Sequence, residues 1–159
     1  MDDIHRHTAA ALGRIPSGLF ILTARRGDAE SGMLTSWVQQ CSFQPPLISV
    51  VIRRDRPITT WLTVGTEFTL NILDHTQTDM VAHFGRGFNL DEPAFEGLEI
   101  ERPEGGGPIL QEAVAFLVCR VADRREVGDH DLFLSEVIGG RVLGESQPMV
   151  HVRKSGSHY

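Results

Sequence analysis

A mainly β fold, an antiparallel barrel that is closed or partly open with a few short flanking helices, is the fold class the sequence predicts. Three observations lead to it. Short apolar or alternating stretches recur along the chain far more often than helical spacing does. They are not paired one-for-one with helices, which disfavours a doubly wound parallel sheet. The chain has 159 residues, 41% hydrophobic and 23% charged, an ordinary composition for one globular domain over residues 1–159.

The elements follow in order. Asp2 to Ile15 reads as a short amphipathic helix, with Ile4, Ala11, Leu12 and Ile15 near helical spacing and Pro16 stopping it. Gly18 to Ala24 is a strand that ends in the polar turn Arg25 to Ser31. Gly32 to Val38 is a second extended stretch, and Gln44-Pro45-Pro46 delays the next. Leu47 to Ile52 is a dense β-branched run, the pattern of a buried central strand. Asp55 is placed to cap a helix from Ile58 to Val64 that opens on Pro57 and stops at Gly65. Phe68, Leu70 and Ile72 alternate with polar residues, as in a half-buried strand. Thr76 is placed to cap a further helix carrying Met80, Val81 and Phe84. Gly85 to Gly107 is punctuated by glycine and proline and reads as loop. Val114 to Val121 and Leu132 to Ile138 are strands, Gly139-Gly140 is a hairpin signal feeding Arg141 to Leu143, and Met149 to Val152 is a last short strand.

Several function classes drop out on composition. The net charge is −6, and two Trp and one Tyr make a poor stacking surface, so a nucleic-acid-binding barrel is the last choice. No run of about 18 apolar residues suggests a membrane span, and the polar opening residues lack a signal core, so a cytoplasmic protein is expected. Cys41 and Cys119 form no CxxC pair; each is expected to pack as a small apolar residue, although a disulfide stays open. The seven histidines are scattered, and no protein metal site is expected. Dinucleotide and P-loop glycine fingerprints, HExxH and GxSxG are all missing.

Three stretches have the residue types that chemistry needs. Thr35 to Pro46 is rich in hydroxyls and amides, which donate to a phosphate or a flavin ring edge without the full cost of a charge. The plainer alternative is an irregular edge strand with a bulge. Arg53-Arg54-Asp55-Arg56 follows the apolar strand directly; its guanidiniums can clamp a phosphate, or form a solvated turn. Gly128-Asp129-His130-Asp131 sets a histidine between two carboxylates that favour imidazolium, or forms a charged turn.

Taken together and in this order, these stretches resemble the flavin reductase-like family. The matching residues are Gly13 to Gly18, Met33 to Val38, Ser42 to Pro46, Phe68 to Leu73, Phe95 to Leu98, Gly128-Asp129-His130 and Arg153 to Tyr159. The last of these looks most like the flavin reductase module fused to some flavodiiron proteins, of which this chain would be a free-standing version.

The resemblance implies an FMN-binding split antiparallel β-barrel. In that family the hydroxyl-rich loop wraps the flavin. Carried over, Thr35, Ser36, Trp37 and Val38 would lie along the isoalloxazine and ribityl chain, and Gln39 would also bind the cofactor. Ser42 and Phe43 would close the phosphate end, Arg53 and Arg56 would supply charge there, and Phe84 would flank the ring. His130 would lie where the nicotinamide stacks. The implied activity is an NAD(P)H:flavin oxidoreductase, with FMN (FAD as the alternative) as cofactor and NAD(P)H as reductant. A homodimer and an acceptor protein are implied as partners, with no nucleic acid or membrane. The competing readings are a non-catalytic flavin electron carrier reduced by a partner, and a barrel holding heme or another ligand.

Overall fold

The computed structural model describes residues 3–159. Helix α1 (Asp3–Leu12) opens the chain. Strands β1 (Ser17–Gly18), β2 (Phe20–Arg26), β3 (Ala29–Thr35), β4 (Val38–Ser42) and β5 (Leu47–Arg53) follow. A single 3-10 turn, Pro57–Thr60, leads to β6 (Glu67–Ile72) and α2 (Thr78–Gly85). The rest is β7 (Ile100–Glu101), β8 (Ile109–Leu110), the long pair β9 (Ala115–Val127) and β10 (His130–Val142), and β11 (Val150–His151).

Seven strands form one antiparallel sheet in the order β3-β2-β6-β9-β10-β5-β4. Its two edges, β3 and β4, are consecutive in the chain and joined only by Ser36 and Trp37. Three Cα–Cα steps reach about 11 Å at most. The sheet must therefore curl until its opposite edges nearly meet at that corner, without a ladder between them. That is a split barrel.

Alternation fills it. Leu22, Ala24, Ile48, Val50, Ile52, Phe68, Leu70, Cys119, Val121 and Phe133 point inward as one core, with Trp61 and Leu62 plugging an end. Leu19 and the outward Ile21 of β2 meet a second apolar layer: Phe84 from α2, Phe88 and Phe95 from the following loop, and Leu110 from β8.

That second layer corrects one expectation. β6 is buried on both faces: Thr69 and Asn71 are fully covered, like Phe68. Thr69 Oγ1 donates to Gly107 O at 2.9 Å, and Asn71 Nδ2 donates to Ile21 O at 3.1 Å. Asn71 Oδ1 accepts from Leu110 N at 2.9 Å. The loop thus lies flat on the strand as hydrogen-bonded backbone, which polar side chains can solvate.

Other boundaries move for local reasons. The first helix ends at Leu12, and Ile15 is exposed; Asp2, its expected start, lies outside the described residues. The helix expected over Ile58 to Val64 is only the Pro57–Thr60 turn, and its cap position is Arg56, not Asp55, with no side-chain capping bond. Thr76 does not cap α2; its N–H and hydroxyl both donate to Asp74 Oδ1 at 2.6 Å, and Gln77 takes the cap position. Gly139-Gly140 is no turn: it lies inside β10 beside a register shift against β9. The hairpin turn is Gly128-Asp129, where Gly128 has φ +60°.

Candidate active site

The corner between β3 and β4 opens a cavity of about 280 Å³. Its walls include Gly32 to Ser36, Val51 to Arg53, Arg56, Phe84, Arg153 and Tyr159. Thr35 and Ser36 are buried there. Glycine is needed in the wall at Gly32, because a Cβ would press on the Phe84 ring at 2.9 Å. Phe84 arrives from α2 and closes the apolar side.

The electrostatics are one-sided. Arg53, Arg56 and Arg153 line the cavity, and among the described residues no Asp or Glu does, in a chain of net charge −6. Arg53 has a half-exposed partner, Asp55, at 3.4 Å. Arg54, the middle member of the cluster, turns away. Its Nε donates to Asp131 Oδ1 at 3.1 Å and its Nη2 to Gly128 O at 3.0 Å. Strand-end alternation separates neighbours in this way, so two of the three clustered arginines reach the cavity.

A second cavity, about 300 Å³, adjoins the first and shares Val51, Arg53, Arg153 and Tyr159 with it. Trp37, Asp129 and His130 line it. The His130 ring stacks on Trp37, centroids 4.7 Å apart and planes at 26°. Arg153 sits over the Trp37 ring at 5.2 Å. His130 Nδ1 lies 2.6 Å from Asp129 Oδ1, and its Nε2 lies 2.5 Å from Tyr159 Oη. The His130 bond holds the Asp129 carboxyl below the usual carboxylate range. A carboxylate only accepts, so Nδ1 carries a proton, and Nε2 and the phenol share the second hydrogen bond. Burial raises the Tyr159 hydroxyl above its ordinary range, which keeps it a donor.

Only one of the two carboxylates flanking His130 meets the ring. Asp131 faces the barrel end, where Arg124 Nη2 donates to it at 2.7 Å.

The other expected residues divide by position. Thr35, Ser36, Arg53, Arg56 and Phe84 line the first cavity, and Trp37 and His130 the second. Val38, Gln39, Ser42 and Phe43 line neither. The reason is geometric: Val38 packs against the barrel core, and β4 then leaves the corner as the sheet edge, so that at 3.3 Å per residue Phe43 lies roughly 16 Å beyond Val38. Phe43 is 88% exposed on the turn after β4. Cys41 is exposed on the same edge, contrary to its expected packing role, while burial pushes the Cys119 thiol up to about 12. Among the described residues, no three His, Cys, Asp or Glu side chains gather as a metal site would require, and no helix is long and apolar enough to cross a membrane.

Comparison with known proteins bears on this geometry. Residues 12–157 match the family model described as flavin reductase like domain. The chain belongs to the flavin reductase-like family. A putative diflavin flavoprotein A 3 of Nostoc sp. is 42% identical over 151 residues, covering 94% of this chain and 26% of that protein. Diflavin flavoprotein A 1 of Synechocystis sp. is 41% identical over the same coverage. The chain thus spans about a quarter of the length of these relatives. Among solved structures, the NADH:FAD oxidoreductase SgcE6 of Streptomyces globisporus C-1027 superposes with a TM-score of 0.83 at 26% identity. That match covers 90% of this chain and 85% of the other. The flavin reductase PheA2 gives 0.79 at 25% identity, covering 96% and 94%. SgcE6 is also solved in complex with NAD and FAD fragments, and that structure superposes with a TM-score of 0.79 at 26% identity.

Reading the sequence of this domain element by element missed Arg153 and Tyr159. The tail from Val152 on has the composition of a frayed end. The available signal was its pattern, a cation and an aromatic six residues apart, matched in order to the family.

Proposed function

We propose that the chain binds FMN in the arginine-lined cavity and uses it to carry reducing equivalents from NAD(P)H to an acceptor. The observation that carries this reading is the cavity itself, which among the described residues has three guanidiniums, no carboxylate and the buried hydroxyl-bearing residues Thr35 and Ser36 beside an apolar wall. A phosphate-bearing aromatic ring system fits that donor set. Guanidiniums bind phosphate through paired N–H donors, and hydroxyls serve the ring edge or the ribityl chain. The bound flavin supplies the redox chemistry, accepting hydride from the nicotinamide.

The protein's own contribution is placement. Arg53 and Arg56 hold the anionic end. Phe84 and Leu34 exclude water from the apolar side. Trp37 and the His130 ring stacked on it present an aromatic wall in the adjoining cavity, where the nicotinamide is oriented for an effectively unimolecular transfer. No strong protein acid is needed for hydride transfer, and His130 orients the nicotinamide rather than donating a proton. Val38, Gln39, Ser42 and Phe43 belong to this scheme through a homodimer, in which a second copy brings its β4 edge toward the flavin. The acceptor is a protein of the flavodiiron class; the much greater length of the diflavin flavoproteins supports that choice.

Flavin titration followed by stopped-flow reduction tests the reading. Arg56→Ala is expected to weaken FMN about tenfold, the scale of one charge-assisted contact, while riboflavin, which lacks the phosphate, binds unchanged. His130→Ala is expected to raise KM for NAD(P)H or to slow flavin reduction, with FMN binding retained. Equal losses for FMN and riboflavin sink the phosphate assignment, and unchanged single-turnover reduction sinks the His130 role. FAD competing equally with FMN makes the cofactor choice wrong, and failure of both NADH and NADPH to bleach the flavin favours a carrier reduced by a partner.

A further inference from the structure

The segment Arg153 to Tyr159 is held on a defined path. Arg153 N–H donates to Gly13 O at 3.0 Å, and Gly156 N–H donates to Ala9 O at 2.6 Å. Both glycines are required by close approach. A Cβ on Gly13 would lie 2.7 Å from Arg153 O, and one on Gly156 would collide with Leu12 Cβ. Arg153 then bridges the strap's two ends, with Nη1 on His158 O at 3.3 Å and its guanidinium over Trp37. This path delivers the Tyr159 ring to the boundary between the two cavities, 5.4 Å from the Trp37 centroid and 5.9 Å from that of His130.

We propose that Tyr159 is a positioning residue for nicotinamide binding, acting through His130. The imidazole is held at three points: Asp129 on Nδ1, the Tyr159 hydroxyl on Nε2, and Trp37 on its face. Two hydrogen bonds on opposite ring nitrogens fix both the tautomer and the rotation of a ring that stacking alone lets spin. A ring fixed in advance spends less conformational freedom when a flat ligand docks beside it. Asp129 is largely exposed and makes a weak anchor by itself, so the less exposed phenol is the stiffer of the two. The inference deepens the reading of His130 given above and rests on it.

Tyr159→Phe tests it, because it removes the hydroxyl and keeps the ring; the half-exposed position makes unfolding no concern. The first readout is independent of flavin: ring nitrogen NMR of His130 in the full chain, assigned against His130→Ala. The native ring is expected to show the Nδ1–H tautomer with a hydrogen-bonded Nε2, and Tyr159→Phe is expected to shift the Nε2 signal. The second readout is kinetic. KM for the reduced nicotinamide is expected to rise about fivefold, the worth of one hydrogen bond, with kcat and the FMN dissociation constant unchanged. In the His130→Ala background the same substitution is expected to have no effect. An unchanged Nε2 signal overturns the proposal alone, as does an equal KM loss in both backgrounds. His130→Ala without kinetic effect overturns the reading of His130, and the proposal with it.

Discussion

Asp129 and Asp131 flank His130 in sequence, yet they serve different parts of the molecule. Asp129 lies in the hairpin turn and bends back to the ring, whereas Asp131, on the strand, takes the face opposite to His130, where it is 3% exposed and bonded to Arg54 and Arg124. Burial raises the Asp131 carboxyl, but the bonds from Arg124 and Arg54 outweigh it, and the net shift is downward. A depressed carboxyl stabilises the fold above its unfolded pKa, about 3.9, and that stabilisation is lost as pH falls through the folded value. Asp74, held down to about 2 chiefly by the Thr76 hydroxyl, acts in the same sense. Asp131→Asn is expected to cost about 2 kcal/mol at neutral pH, a moderate figure because both arginines are partly exposed. It is also expected to flatten the decline in stability below about pH 4. Denaturant melts at pH 7 and pH 3 check it; an equal deficit at both means the pairing is not the cause. The sequence showed a histidine between two acids, but which acid it meets depends on where the turn ends and the strand begins, and the strand start was read two residues late, at Leu132 instead of His130.

At the scale of elements, the legible parts were those with a period. The β-branched run became β5, and the alternation in β6 fixed its inward face. What periodicity could not give was the outer face of β6, since Thr69 and Asn71 read as solvent-facing when nothing nearby in sequence covers them. Their cover comes from Gly107 to Leu110, nearly forty residues on. Asn71 is the hub. It donates to two carbonyls, Ile21 O and Pro108 O, and accepts from Leu110 N–H, all buried. Asn71→Ala strands these groups, and a stability loss of about 3 kcal/mol is expected in chemical denaturation. Amide exchange at Leu110 should accelerate with it. A loss under 1 kcal/mol would mean that water replaces the side chain and that the loop is not sealed. The arginine cluster and the hydroxyl-rich corner were likewise legible as chemistry, but the division of labour between Arg54 and its neighbours was not, because it is set by which side of a strand end each faces.

For the whole molecule, the unresolved tension lies between the residues expected to hold the flavin and those one chain brings together. Val38, Gln39, Ser42 and Phe43 run along a sheet edge that has no partner strand among the described residues. An edge of this kind, ending in a phenylalanine 88% exposed, is a surface a soluble protein ordinarily covers or breaks with charge. Here Gln39, Gln40, Cys41 and Ser42 carry none. Pairing with a second copy, as proposed above, would cover the edge and bring these four positions toward a flavin, so one arrangement would account for both the exposed ring and the four positions outside the cavities. Light scattering on the native chain is therefore expected to give about twice 17.6 kDa. Phe43→Asp is expected to shift it toward the single-chain mass and to weaken FMN retention by at least tenfold, while the far-ultraviolet spectrum stays native because the turn carries no core residue. Loss of the dimer without loss of flavin would separate the interface from the site. A native chain that scatters as a single copy would leave the flavin held by the corner, Arg53 and Arg56 alone.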